Sequence, residues 1–125
     1  MTVPRGAALI TSMIVLVMAA SISCGPGESP ATSCPNDVPA TCPVPAATFG
    51  AEVLPLIQSR CANCHAPGGV ESVRPMQSWE DVQKQKISIL AQIHACLMPP
   101  ADQPQLTPDE RKVILGWIVC GALNN

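Results

Sequence analysis

The chain has 125 residues, enough for one small domain, and carries 14 prolines, 8 glycines and 7 cysteines beside one Phe, two Trp and no Tyr. A formal net charge of −2, with no basic run longer than Arg111-Lys112, excludes the electrostatic footprint of a nucleic-acid-binding protein. So few aromatic residues in so short a chain also exclude a large self-sufficient apolar core, and a domain of this kind needs disulfides, a metal or a prosthetic group.

In chain order, residues 1–23 read as a signal peptide. Arg5 gives the basic start, and residues 9–20 give an apolar run too short for a comfortable membrane span. Ser21-Ile22-Ser23-Cys24 follows and resembles a bacterial lipoprotein signal, which implies lipidation of Cys24 as the first mature residue. Ordinary cleavage, with Cys24 left as a thiol or disulfide partner, is the alternative. The mature chain is expected outside the cytoplasm, where disulfides are permitted. Gly25 does not look like an inner-membrane retention signal, which favours the outer membrane as the anchor's location.

Residues 24–47 read as a tether. Six prolines (Pro26, Pro30, Pro35, Pro39, Pro43 and Pro45) alternate with small residues and show no helical or strand period. Cys34 and Cys42 lie inside this stretch and could close a small loop.

The remaining chain, 48–125, is expected to be an all-α domain of three to four helices. The first helix spans residues 49–59, with Phe49, Val53, Leu56 and Ile57 on one side and Pro55 bending or delaying its start. The second begins after Ser78, an N-cap, and carries Val82, Ile89, Leu90 and Ile93 at helical spacing. The third opens with Thr107 and Glu110 as a capping box and Pro108 at the first helical position. Its stripe is Val113, Ile114, Trp117 and Ile118.

Between the first two helices lies Cys61-Ala62-Asn63-Cys64-His65, the attachment pattern of a c-type haem. On one helical turn the two thiols suit the two vinyl groups of a porphyrin, and the histidine then offers an imidazole nitrogen to iron. The expected cofactor is one covalent haem c, with His65 as an iron ligand. Three other readings use the same residues: a zinc site of Cys61, Cys64, Cys96 and Cys120, a redox dithiol of Cys61 and Cys64, and a plain structural disulfide.

Downstream stand Leu97-Met98-Pro99-Pro100, then Leu106-Thr107-Pro108-Asp109-Glu110, and then Trp117-Ile118 with Gly121. With the Cys-x-x-Cys-His motif, these make residues 48–125 similar to small class I cytochrome c domains. The resemblance implies that the loop carries Met98 to the iron as distal ligand, that the first and last helices cross, and that one haem edge is exposed. His94 is the competing distal ligand. Two filled axial positions leave no site for a substrate, so the expected function is single-electron transfer rather than catalysis. The partners implied are transient redox proteins and the membrane through the anchor at Cys24, with the chain itself a monomer. A haem-based gas sensor, in which Met98 leaves the iron, and a structural zinc module of the envelope are the alternatives. The four cysteines outside the motif and the lipidation signal are expected to pair as Cys34–Cys42 and Cys96–Cys120, the second bridge clamping the Met98 loop to the last helix.

Overall fold

The computed structural model describes residues 34–125. The expected signal peptide and Cys24 lie outside the described residues. All regular structure among them is helical, with no strand. No helix among them is long and apolar enough to cross a membrane.

A wide, π-type turn at Phe49–Val53 runs into α1 (Leu54–Arg60), followed by the single-turn α2 (Ala62–His65), then α3 (Trp79–His94) and α4 (Pro108–Val119). The expected first helix is therefore present, but its opening is widened. Pro55 lies at the start of α1. In a regular α-helix its ring would press on the Ala51 carbonyl, and a wider turn just ahead of it removes that clash. The wide turn is closed by the Val53 amide donating to the Thr48 carbonyl at 3.1 Å.

Both long helices begin with reciprocal caps. In α3 the Ser78 hydroxyl accepts from the Asp81 amide at 3.2 Å, and the Asp81 carboxylate accepts from the Ser78 amide at 3.3 Å. In α4 the Thr107 hydroxyl accepts from the Glu110 amide at 3.2 Å, and Glu110 Oε2 accepts from the Thr107 amide at 2.7 Å. Each cap satisfies amides that the helix cannot satisfy itself.

The two helices also end alike. After α4 the Ala122 amide reaches back to the Trp117 carbonyl and the Gly121 amide to the Ile118 carbonyl, with Gly121 at φ +94°. After α3 the Leu97 amide reaches the Gln92 carbonyl and the Cys96 amide the Ile93 carbonyl, with Cys96 at φ +54°. This six-residue closure wants glycine at the left-handed position. α4 has one there, whereas α3 has a cysteine.

The core gathers Phe49, Val53 and Ile57 against Ile114, Leu115, Trp117 and Ile118, with Val82, Ile89 and Ile93 from α3. Phe49 and Trp117 meet with ring centroids 5.4 Å apart. Trp117 Nε1 donates to the Leu123 carbonyl at 2.9 Å, so the indole is buried with its polar atom satisfied.

The stretch read as a tether is corrected from Cys34 onward, because that part is fastened to the helices. Cys34 is bonded to Cys96 and Cys42 to Cys120, so the expected pairs Cys34–Cys42 and Cys96–Cys120 are not formed. Asp37 forms a two-pronged ion pair with Arg111, both contacts at 2.7 Å. Val38 and Ala47 pack on the core. Pro43 lies over Gly116, where an added Cβ would come within 3.1 Å of its ring. Residues 34–47 thus form a strap rather than a spacer.

Candidate functional site

The motif residues sit where the backbone turns sharply. The Cys64 and His65 amides both donate to the Cys61 carbonyl, at 3.2 and 3.0 Å, so Cys61, Cys64 and His65 share one turn of helix. The loop that follows folds back on this turn. Pro67-Gly68 form its tip, with Gly68 at φ +87° and the Gly69 amide donating to the Ala66 carbonyl at 2.9 Å. Gly69 then passes so close to α2 that a Cβ on it would collide with the Cys64 carbonyl group. That contact admits only glycine. The Glu71 amide donates to the Cys64 carbonyl at 2.9 Å, and the Met76 amide to the His65 carbonyl at 3.0 Å.

The same loop orients the histidine. His65 is buried, with Nδ1 2.9 Å from the Arg74 carbonyl oxygen. A carbonyl can only accept, so Nδ1 is the donor and, in the neutral ring, Nε2 is the nitrogen with the lone pair. No fully buried side-chain N or O atom among the described residues lacks a partner. Nε2, which has none within the protein, therefore opens toward the neighbouring space.

That space is a largely apolar cavity of about 270 Å³, bordered by Cys61, Cys64, His65, Met76, Ile89 and Met98 among others. Met98 comes from the loop after α3, so the cavity joins an imidazole and a thioether from separate elements. His94, the competing ligand, is the last residue of α3, exposed and outside this lining. The charged residues at the rim are paired. Arg60 donates through Nε and Nη2 to Glu110 Oε1 at 3.2 and 2.8 Å, and Arg74 Nε stands 3.8 Å from Glu71. The Arg60 guanidinium, together with the Thr107 amide, holds the Glu110 carboxyl below the usual carboxylate range. Burial, with Cys64 alongside, pushes the Cys61 thiol up to about 11. It is therefore protonated at neutral pH.

Two expectations about ligands are overturned here. The zinc quartet fails because Cys96 and Cys120 are consumed in disulfides. The expectation of one covalent haem c is also corrected. Four of the six described cysteines are joined in two disulfides, leaving Cys61 and Cys64 as thiols. No group of three or more His, Cys, Asp or Glu among the described residues could hold a metal ion, and these findings point away from that cofactor.

Sequence reasoning missed two groups that lie behind the site, against a neighbouring cavity. Arg111 is buried in α4, and besides Asp37 it donates to the Ile93 carbonyl at 2.7 Å. Gln105 gathers the carbonyls of the Met98 loop. Asp37 and Arg111 are 74 residues apart, and no local pattern marks either as half of a pair.

Compared with the models of protein families, with curated proteins and with solved structures, the chain matches none of them.

Proposed function

We propose that the chain is a single-electron carrier of the bacterial cell envelope, with the helix arrangement of the small class I cytochromes c that it resembles. The observation that carries the reading is the cavity, where His65 with a free Nε2 and Met98 border one apolar space from two independently fastened elements. An electron-transfer site works best when little rearranges as charge changes. Here the imidazole is locked by the Arg74 carbonyl, and the rim charges are already neutralised in pairs.

Thiol–disulfide exchange is the weaker use of the same residues. It needs a stabilised thiolate, whereas burial keeps the Cys61 proton on. Export and lipidation at Cys24 belong to this reading. The two disulfides favour an oxidising compartment. Transient redox partners would dock at the cavity mouth, where Val70 stands exposed.

The test is an optical redox titration of the protein purified from a bacterial envelope. A visible band that changes reversibly with one electron per chain, and whose midpoint moves in Met98→Leu, is the expected result. The spectrum itself identifies the group that holds the electron. A colourless protein with no one-electron wave overturns the reading.

A further inference from the structure

Met98, Pro99 and Leu106 border the site cavity and also a second cavity of about 300 Å³, which is lined further by Pro35, Asp37 and Arg111. The loop carrying Met98 therefore borders both spaces. Leu106 packs on the core and Pro99 is buried, whereas Met98 is only partly buried and borders open space on both faces. The loop's backbone ties are few: the Met98 amide reaches the Gln92 carbonyl at 3.3 Å and the Gln103 amide the Pro100 carbonyl at 2.9 Å, while Pro99, Pro100 and Pro104 have no amide hydrogen to donate.

One side chain adds further donors. Gln105 Nε2 lies 2.7 Å from the Pro100 carbonyl oxygen, 2.8 Å from that of Gln103 and 3.2 Å from that of Pro99. An amide nitrogen has two hydrogens, so one of them is shared between two of the three acceptors. Only the amide nitrogen can make these contacts, which fixes how the side chain is turned.

We infer that Gln105 is a positioning residue, whose amide gathers the carbonyls on the far side of Met98 and so keeps Met98 in the wall of the site cavity. This rests on the reading of Met98 as a site residue. Without the amide, Met98 has the second cavity to move into.

The test uses the full-length exported protein labelled with ¹³C at methionine methyl groups. Met76 and Met98 are the two methionines among the described residues, and both border the site cavity, so Met76 serves as an internal control. Gln105 is exposed, and neither Gln105→Leu nor Gln105→Glu removes packing from the core. Both variants remove the donors. In each, the displaced population of Met98 is expected to rise roughly five- to thirtyfold, the factor that corresponds to one or two ordinary hydrogen bonds. Its methyl resonance then narrows and moves toward the position of a solvent-exposed methionine, while Met76 stays in place. A Met98 methyl unmoved in both variants overturns the inference, as does an equal movement of Met76, which would mean general loosening. The readout needs no redox activity. If the wild-type protein shows no one-electron wave and the Met98 methyl still moves, electron transfer falls and the role of Gln105 stands.

Discussion

Where α4 packs on the N-terminal helical stretch, Val53, Ile57, Ile114, Leu115 and Trp117 are all but sealed from solvent, and the contact is apolar apart from the Arg60–Glu110 pair at one end. The loops that wall the cavity, residues 66–78 and 97–106, are fastened differently. Apart from Met76 and Leu106, which reach the core, they are held mainly by discrete polar and covalent contacts: the Arg74 carbonyl on His65, the Glu71 and Met76 amides on Cys64 and His65, the Cys34–Cys96 bridge just ahead of the second loop, and Gln105 on three carbonyls. Burial fixes a region as a whole, whereas point fastenings fix chosen atoms. The contrast places stability on one side of the domain and the aim of the site's side chains on the other. Removing one fastening should therefore misplace a side chain without unfolding the protein, while a core truncation should do the reverse.

The largest effect expected is from Trp117→Ala. It deletes a 1 % exposed indole together with its contact to Phe49, and should cost about 4 kcal/mol in denaturant unfolding. Below its lowered transition, the variant should keep the Met98 methyl environment of the parent. A changed Met98 environment in the folded variant would show that the two sides are not separable.

Next is Arg111→Met, which leaves Asp37 without its guanidinium in a site where the Asp37 side chain is only 20 % exposed. A loss of about 3 kcal/mol is expected, as for breaking a buried ion pair by removing one partner. Acid sharpens the test. The Arg111 hydrogen bonds hold the Asp37 carboxyl below the usual carboxylate range, so the folded state binds this proton less readily than the unfolded chain. The stabilisation is full above that range and is lost as pH falls through the depressed folded value. The wild-type melting temperature should thus fall below about pH 4. The fall should be shallower in Arg111→Met, with Glu110 and Arg60 supplying what remains. Equal slopes would remove Asp37 from the account.

The smallest effect concerns the left-handed residue after α3. A cysteine at φ +54° is tolerated because its sulfur must reach Cys34, and without that bridge glycine suits the position better. The double variant Cys34→Ser with Cys96→Gly should be more stable than Cys34→Ser with Cys96→Ser, by about 1 kcal/mol. Equal melting temperatures would mean that the turn carries no strain once the bridge is gone.

What could be read without the structure follows the same division. The helices announce themselves locally: Thr107 and Glu110 three apart, Ser78 ahead of an apolar period, and Phe49, Val53 and Ile57 on one face. The turn from Cys61 to His65 was legible as well, because its spacing is the helical repeat itself. The strap was not. A proline-rich segment without period looks like a linker, and nothing within residues 34–47 states that Asp37 faces Arg111 or that Pro43 covers Gly116. The cysteine pairing failed for the same reason. Choosing the near partner assumed a free tether, whereas the path of the strap carries Cys34 to the end of α3 and Cys42 to the end of α4. The carbonyl on His65 belongs to Arg74, whereas sequence proximity points to Pro67 or Pro75, and neither supplies it.

The two bridges interleave along the chain, since Cys34–Cys96 opens first and closes before Cys42–Cys120 does. Every peptide bond from residue 34 to residue 120 therefore lies inside at least one covalent ring, and those from 42 to 96 lie inside both. A protease that cuts once anywhere in that span cannot release a fragment: the two pieces stay linked, and the loops around the cavity can be nicked without the domain parting. Loss of a piece requires two cuts in the same ring segment or a reductant. Among proteases, such a molecule survives by connectivity as well as by folding energy.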